Sequence, residues 1–177
     1  MQFERELRCS QAGETGAVWI YRGILATRPK GELKTFARDH LAGESEHLHF
    51  FEQLQFCYRP SLMLPLWRVA GFLTGFLPAI SGRQAVFATI EAVETFVDQH
   101  YQQQIEALEP LALRDSERAV LAGFEKCRFD EIHHRDDAKH RRSAHLSTAL
   151  RLWVALTSWC WVQSGRSNCQ IALRAVL

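Results

Sequence analysis

Apolar side chains recur every three or four residues along four segments of the chain. This spacing places them on one face of an α-helix. Four amphipathic helices joined by short turns, with one long crossover, predict an all-α four-helix bundle. In chain order, the four stripes contain Glu14, Ala17, Tyr21 and Leu25; Leu33, Phe36, His40, Glu44, His47, Phe51 and Leu54; Phe87, Glu91, Glu94, Val97, Tyr101, Ile105 and Leu108; and Val120, Phe124, Cys127, Glu131, His134 and Ala138.

Two further segments are apolar but do not follow this pattern. Residues from about Leu146 to Val162 contain three tryptophans and predict an extra C-terminal helix. Residues 60–80, between the second and third bundle helices, carry Arg68 as their only charge and so resemble a membrane span in composition. Three prolines and two glycines in this stretch argue against one continuous helix. Two interpretations remain: a buried crossover over the end of the bundle, or a hairpin that dips into a membrane interface.

The composition restricts the class of protein. A chain of 177 residues predicts one domain over residues 1–177. The 21 basic residues against 20 acidic ones lack a basic excess, so we expect no nucleic-acid partner. The five widely spaced cysteines contain no C-x-x-C pair, which indicates free thiols in a reducing compartment. The first residues show neither a secretory nor a transit pattern, and we expect a cytoplasmic protein.

Carboxylates occupy the middle of every stripe, where a bundle core should be apolar. An unpaired buried carboxylate costs several kcal/mol, so these groups need a partner. Two stripes also carry a histidine three residues later, in Glu44-x-x-His47 and Glu131-x-x-His134. One Glu from each of two helices and a Glu-x-x-His from each of two others is the ligand set of di-iron and di-manganese bundles. Carboxylate and imidazole ligands favour iron or manganese over zinc.

The phase of each pair on its helix separates candidates from chance matches. Glu46-x-x-His49 shares its face with polar residues, so we expect it to point outward. Asp130 and His133 share a face with Lys126 and Asp137, which predicts a solvated surface. A single Glu–His pair is more often a hydrogen-bonded core pair or a surface pair. The prediction of a metal site therefore depends on all four stripes agreeing.

At these positions the chain resembles the demethoxyubiquinone hydroxylases, di-iron enzymes of late ubiquinone synthesis with a ferritin-like fold. The resemblance runs through most of the chain in ordered, spaced motifs. These are Gln11-Ala-Gly-Glu-Thr-Gly-Ala17 and Ile20-Tyr-Arg-Gly23, Glu44-Ser-Glu-His-Leu48, Leu62-Met-Leu-Pro-Leu-Trp67 with Gly71-Phe72, Ala92-Val-Glu94 leading to His100-Tyr101, and Asp130-Glu-Ile-His-His-Arg-Asp136.

The resemblance implies a monooxygenase that uses O2 and two Fe ions per chain to hydroxylate the ring of a polyprenyl quinone. It implies that His100 and Tyr101 lie near the iron and the quinone, with Tyr101 either gating substrate, relaying an electron or acting only as a core tyrosine. Glu91 is not implied as a ligand and would lie either beside the ligands or in the packing. The implied iron ligands are Glu14, Glu44, His47, Glu94, Glu131 and His134.

A substrate with a long polyprenyl tail lies in a bilayer, so the resemblance favours membrane contact by residues 60–80. It implies a peripheral protein on the cytoplasmic side of a bacterial cell membrane, with room for contacts to other ubiquinone-synthesis proteins. NADH-derived electrons would arrive through the quinone, because the sequence contains no nucleotide-binding glycine loop. The chain departs from the family at Gln11, where a histidine is usual, and in its C-terminal tail.

Two other functions are compatible with the same ligand pattern. A ferritin-like peroxidase or iron-storage protein would share the ligands but would have no use for the apolar segment Leu62–Leu77. A non-catalytic helical member of the ubiquinone-synthesis assembly would have lost turnover. The presence of every ligand position argues against the second of these.

Overall fold

The structure, a computed structural model, describes residues 2–143 and 145–158. These residues form six α-helices and two short 3-10 turns, with no strand among them, which confirms the all-α prediction. Four of the helices, α1, α2, α4 and α5, form the ferritin-like bundle. The bounds are α1 Gln2–Ala26, α2 Gly31–Gln53, α3 Leu64–Ser81, α4 Arg83–Leu108, α5 Asp115–Arg141 and α6 148–158, with the 3-10 turns at Gln55–Cys57 and Glu109–Leu111.

The apolar core of the bundle is divided into two clusters. One cluster surrounds Tyr21, Phe36 and Phe87 and joins α1, α2 and α4. The other surrounds Tyr101 and Phe124 towards the opposite end of the bundle. The buried carboxylates and histidines of the four stripes lie among these aromatic side chains, so water is largely excluded from them.

The crossover segment is one helix, α3, and the predicted hairpin is wrong. Its prolines do not interrupt it because of where they fall. Pro65 lies in the first turn, where a missing N–H has no partner to lose, and Pro78 lies in the last turn. The bend that a proline causes is therefore confined to the helix ends.

Glycines bring α3 into close contact with α1, and the two helices run parallel. A Cβ atom at Gly71 would lie 2.2 Å from the carbonyl oxygen of Gly16, and one at Gly75 would lie 1.9 Å from that of Ile20. On α1, a Cβ at Gly23 would lie 2.2 Å from the carbonyl oxygen of Phe72. Only glycine permits backbones to approach this closely. The other interpretation, a buried crossover over the end of the bundle, is thus also wrong, because α3 runs along α1.

The outer face of α3 is apolar and exposed. Leu66 and Val69 are 57% and 58% exposed, and Leu73, Leu77 and Ile80 continue the same face. Within the described residues, α3 is the one helix long and apolar enough to cross a membrane by length and composition alone, with a mean hydropathy of 1.2. Its membrane-like composition therefore reflects an unpaired apolar face as well as packing against α1.

The predicted C-terminal helix is present over residues 148–158. The indole Nε1 of Trp153 donates a hydrogen bond of 2.9 Å to Thr89 Oγ1, which ties α6 to α4. The remaining part of that prediction, including Trp159 and Trp161, lies outside the described residues. The same holds for the divergent C-terminal tail.

Candidate metal centre

Six side chains from the four bundle helices converge at the middle of the bundle. α1 and α4 each contribute one glutamate, and α2 and α5 each contribute a Glu-x-x-His pair, because residues three apart share a helix face. All six are between 0% and 7% exposed, although each carries an ionisable group. The six are Glu14, Glu44, His47, Glu94, Glu131 and His134.

These side chains form two adjacent groups that could each hold a metal ion. In each group the potential ligand atoms all lie within 4.8 Å of one another. Glu44 and Glu131 belong to both groups, and both come from the helices that also carry a histidine. The first group is completed by Glu14 and His47, and the second by Glu94 and His134. Two shared carboxylates between two terminal pairs is a layout for two neighbouring cations.

Both histidines turn the same nitrogen, Nδ1, towards the carboxylates. His47 Nδ1 lies 3.1 Å from Glu131 Oε1 and 3.7 Å from oxygens of Glu14 and Glu44. His134 Nδ1 lies 3.0 Å from Glu44 Oε1 and 3.4 Å from Glu131 Oε2. Gly43 lies close to the ring of His134, since a Cβ there would lie 3.1 Å from His134 Nε2, a tight contact.

The hydrogen bonding leaves the centre incomplete without a cation. Eight buried side-chain nitrogen or oxygen atoms of the described residues have no hydrogen-bond partner, and six of them belong to this cluster. A buried polar atom without a partner costs about 1–3 kcal/mol, so a concentration of six in one place is unfavourable for the protein alone. The six atoms are Glu14 Oε2, Glu44 Oε2, His47 Nδ1, Glu94 Oε2 and both carboxylate oxygens of Glu131. Metal coordination would satisfy them, and oxygen and imidazole donors fit iron or manganese.

The shifted pKa values of the buried glutamates and histidines indicate the same need for positive charge. Burial, with the nearby charge of Glu131, raises the pKa of Glu14 to about 8, and burial raises the pKa of Glu94 well above its usual value. Burial alone would lower the pKa of His134, but the carboxylates of Glu131 and Glu44 raise it to about 11. For His47 the same carboxylates, with Glu14, likewise outweigh burial and raise the pKa far above the ordinary range. Without a metal ion, the glutamates and histidines of the cluster therefore hold protons, and these protons offset the negative charge that metal cations would otherwise neutralise.

Asp130 supports His47 from behind. Its Oδ2 lies 3.1 Å from His47 Nε2 and also accepts a hydrogen bond from Lys126. The prediction that Asp130 lies on a purely solvated face is therefore wrong, because its carboxylate points from α5 towards His47 of α2. His133, Glu46 and His49 are exposed, as predicted. An aspartate beside a ligand residue in sequence is the only signal that could have indicated this role.

Two tyrosines hold the two terminal glutamates in a reciprocal arrangement. Tyr101 of α4 donates a hydrogen bond to Glu14 Oε1 of α1, and Tyr21 of α1 donates one of 3.1 Å to Glu94 Oε1 of α4. Each tyrosine lies seven residues after the glutamate of its own helix. In both glutamates the second oxygen, Oε2, has no hydrogen-bond partner. The hydroxyls thus leave one oxygen of each glutamate for another ligand.

Tyr21 continues into a polar network that the sequence did not reveal. The Tyr21 hydroxyl lies 3.3 Å from His40 Nδ1, and His40 Nε2 lies 3.0 Å from Asp137 Oδ2. Burial and the neighbouring His134 lower the pKa of His40 to about 4, so its ring is neutral near pH 7. His40 was recognised as part of a stripe, but its partner Asp137 was expected on the surface.

Glu91 lies on the predicted stripe of α4 but turns away from the centre. Its carboxylate accepts hydrogen bonds from the guanidinium of Arg142, which follows α5. Of the two interpretations left open, the ion pair makes it a packing residue between α4 and the end of α5.

A cleft leads from the surface to the centre between α1 and α4. It encloses about 540 Å³ with its open mouth, and its walls are mostly apolar, with Trp67 of α3 at one side. His100 and Tyr101 both line it, as do the ligand candidates Glu14 and Glu94. His100 Nε2 lies 3.4 Å from Cys9 Sγ across the cleft. Its mostly apolar lining with a few polar groups is typical of a small-molecule site.

The sequence matches the family described as ubiquinone biosynthesis protein COQ7 over residues 1–163. The chain belongs to this family. That membership agrees with the resemblance seen in the sequence motifs and with the ferritin-like bundle.

Individual relatives of this COQ7-family chain carry hydroxylase names. It is 39% identical over 165 residues to the 3-demethoxyubiquinol 3-hydroxylase of Rhodospirillum rubrum, covering 88% of this chain and 76% of the relative. It is 36% identical over 133 residues to the mitochondrial NADPH-dependent 3-demethoxyubiquinone 3-hydroxylase of Dictyostelium discoideum, covering 74% of this chain and 60% of the relative. The human protein of the same name is 33% identical over 137 residues, with 75% and 62% covered. The chain thus spans less than two thirds of the length of the Dictyostelium and human relatives.

Proposed function

We propose that this protein hydroxylates the ring of a demethoxyubiquinone-type substrate in ubiquinone synthesis, as an O2-dependent di-iron monooxygenase. The observation that carries the proposal is the opening of an apolar cleft onto a buried cluster of six unsatisfied ligand atoms. Membership of the COQ7 family supports the choice of substrate. A peroxidase or storage site requires the ligands but has no need for an organic-substrate cleft beside them.

The residues that would hold two iron ions are Glu14, Glu44, His47, Glu94, Glu131 and His134, of which Glu44 and Glu131 belong to both ligand groups. Iron, when bound, supplies the activation of O2 and the transfer of one oxygen atom to the ring. The protein's part is to hold the carboxylates in the bundle core and to keep water away with surrounding aromatic and aliphatic side chains.

Tyr101 and His100 are the proposed substrate-facing residues. Tyr101 holds Glu14 Oε1 through its hydroxyl and also lines the cleft, so it can transmit substrate binding to a ligand of the centre. His100 stacks on Phe96 with ring centroids 5.7 Å apart and forms part of the same wall. Its flat ring offers a surface for a quinone ring.

The exposed face of α3 is the proposed contact with a membrane surface. This face lies on the helix that also contributes Trp67 to the cleft wall, so a substrate whose tail remains in lipid can present its ring to the centre. We place the protein peripherally on the cytoplasmic side of a bacterial membrane. The same face allows contacts with other ubiquinone-synthesis proteins.

NADH-derived electrons are proposed to enter through the bound quinone. The lining of the cleft is mostly apolar, which suits a quinone ring and does not suit a charged dinucleotide. The sequence also contains no nucleotide-binding glycine loop.

The test combines metal analysis with turnover of a short-tailed demethoxyubiquinone. We expect two irons per chain, one for each ligand group, an iron spectrum that changes when the reduced protein meets O2, and a hydroxylated product. His47→Ala and His134→Ala should lose most of the iron and all turnover. The matched control is His133→Ala, since His133 neighbours His134 but is exposed.

Three results would contradict the proposal in different ways. Full iron content in both histidine variants would show that the ligands are wrong. Iron that turns over peroxide but leaves the quinone unchanged would favour the ferritin-like peroxidase. If the protein contains no iron and its Glu94→Ala variant still restores quinone synthesis, the result would favour a non-catalytic member of the assembly.

A further inference from the structure

A buried polar cluster lies at one end of the cleft and takes no part in the metal centre. Ser10 of α1 and Gln104 of α4 both line the cleft, and both are at least 95% buried. Behind them lies the carboxylate of Glu6, which is 4% exposed. Most of the surrounding wall is apolar, so these side chains decide which polar groups of a ligand can be accommodated at this end.

The direction of every hydrogen bond in this cluster is fixed by chemistry. Arg5 donates to Glu6 Oε1 from Nε at 2.9 Å and from Nη2 at 2.6 Å. Gln104 Nε2 lies 3.1 Å from Glu6 Oε2 and 3.4 Å from the Glu6 carbonyl oxygen. Both of these oxygens only accept hydrogen bonds, so the amide nitrogen of Gln104 must face Glu6.

The orientation of Gln104 in turn fixes the hydroxyl of Ser10. With its nitrogen towards Glu6, Gln104 turns Oε1 towards Ser10 Oγ at a distance of 3.2 Å. A hydrogen bond between these two oxygens uses the single proton of the serine hydroxyl. The remaining capacity of Ser10 Oγ and of Gln104 Oε1 is therefore for accepting hydrogen bonds only.

The cluster lies one helical turn from the metal centre. Ser10 precedes Glu14 by four residues on α1, and Gln104 follows Tyr101 by three on α4, which is about 6 Å and about 4.5 Å along the two helix axes. A ring that spans this distance in the cleft would contact Glu14 and Tyr101 with one edge and Ser10 and Gln104 with the other.

We infer that Glu6, Gln104 and Ser10 select the oxidation state of the ring, accepting a hydrogen bond from a hydroquinone hydroxyl and disfavouring a quinone carbonyl. The hydroxyl of a hydroquinone can donate a hydrogen bond to Ser10 Oγ or Gln104 Oε1. A quinone carbonyl oxygen has no proton to donate, so its lone pairs would face the lone pairs of these oxygens. Sites with fixed polar groups discriminate in this way because the wrong ligand leaves them unpaired. The inference rests on the proposed function and adds to it the residues that favour the reduced ring, which is the form in the name of the Rhodospirillum rubrum relative.

The test measures equilibrium binding of a short-tailed demethoxyubiquinone and of its hydroquinone to the metal-loaded full chain under argon. We expect the hydroquinone to bind roughly tenfold more tightly, the effect of about one favourable hydrogen bond. A ring mimic with one free hydroxyl and its methyl ether, neither of which exchanges electrons with iron, should show the same order.

Two variants separate recognition from a structural role. Glu6→Gln introduces an amide that can donate, so the Gln104 amide can turn and release the Ser10 proton towards the cleft. Gln104→Leu releases the same proton directly. Both should bring the hydroquinone-to-quinone affinity ratio close to one while the protein still binds ligand and retains its metal. The matched control is Glu46→Gln on the exposed side of α2, which should keep the wild-type ratio.

Equal affinity of the wild-type protein for both forms would overturn the inference. An unchanged ratio in Glu6→Gln and Gln104→Leu would also overturn it. Binding of neither form would instead overturn the proposed function, on which the inference rests.

Discussion

Asp130 Oδ2 lies 3.1 Å from His47 Nε2, while the other ring nitrogen of His47 faces the carboxylate cluster. The aspartate thereby fixes the orientation of the ring and holds a proton on Nε2, which would leave Nδ1 as the lone-pair donor when a metal ion binds. Imidazoles that bind metals are commonly held in this way by a carboxylate. Asp130 therefore belongs functionally to the candidate centre, although its side chain is one third exposed.

Asp130→Ala should weaken metal binding by about tenfold to 100-fold, the usual effect of removing such a partner. Competition against a chelator of known affinity measures this loss. Asp136→Asn is the control, because Asp136 lies on the same helix and pairs with Arg135 at the surface. Equal metal affinity in Asp130→Ala and the wild type would contradict the role assigned to this contact.

The stability of the metal-free protein should fall as the pH rises. The folded state raises the pKa of Glu14 from 4.5 to about 8 and that of His134 from 6.5 to about 11, so it binds more protons than the unfolded chain. The Glu14 contribution is lost between about pH 4.5 and 8 and that of His134 between about 6.5 and 11. The lowered pKa of His40, about 4, acts in the opposite sense, but only below about pH 6.5.

Thermal unfolding of chelator-treated protein between pH 6.5 and 9 measures this fall in Tm. With metal bound the trend should disappear or reverse, because cations replace the protons and bind best to deprotonated ligands. A metal-free Tm that rises across this range would show that the buried cluster does not hold extra protons.

Tyr101→Phe and Tyr21→Phe should differ in their effect on turnover. Each variant removes one hydrogen bond to a glutamate of the centre. Because one such bond contributes about 1 kcal/mol, both variants should weaken metal binding by a similar factor. Only Tyr101 lines the cleft, so only its variant should also change kcat or KM for the quinone in metal-saturated protein. Kinetics at saturating iron tests this, and identical kinetics in both variants would make Tyr101 a core tyrosine.

Gly75→Ala should destabilise the protein by about 1–3 kcal/mol, the usual cost of overpacking. Its Cβ would lie 1.9 Å from a backbone carbonyl oxygen of α1, which cannot move aside as a side chain can. Gly13→Ala is the control, since a Cβ there meets nothing within 4 Å and alanine favours the helix. Denaturant unfolding measures both, and equal stabilities would contradict the close packing of α3 on α1.

Charges on the outer face of α3 should reduce membrane binding without unfolding the protein. Leu66→Glu and Val69→Glu place carboxylates on a face that is more than half exposed, where they cost little in water and much in lipid. Co-sedimentation with liposomes measures binding, and Leu152→Glu on the exposed side of α6 is the control. Undiminished sedimentation of the α3 variants would place the membrane contact elsewhere.

The repeat of apolar and carboxylate positions was sufficient to predict the bundle and the convergence of a carboxylate from each of its four helices, whereas the choice of Glu94 over Glu91 came from the family resemblance. Helix periodicity fixes which residues share a face, so Glu44 and His47, or Glu131 and His134, could be paired from spacing alone. The rejection of Glu46 and His49 depended on the same argument and is confirmed by their exposure. Glu91 marks the limit of that argument, because a residue at the edge of a stripe can turn outward to a cation such as Arg142.

Only the tertiary structure decided the contacts made between helices. The hydrogen bonds from Tyr21 to Glu94 and from Tyr101 to Glu14, and the support of His47 by Asp130, join residues 73, 87 and 83 positions apart. The path of α3 depended on how closely two backbones can approach at Gly71 and Gly75, whereas its prolines and glycines in sequence had argued for a break. Periodicity is a property of one helix, and the sequence therefore determined what each helix presents. Register and distance between helices arise from packing the whole bundle, and they determined which atoms meet.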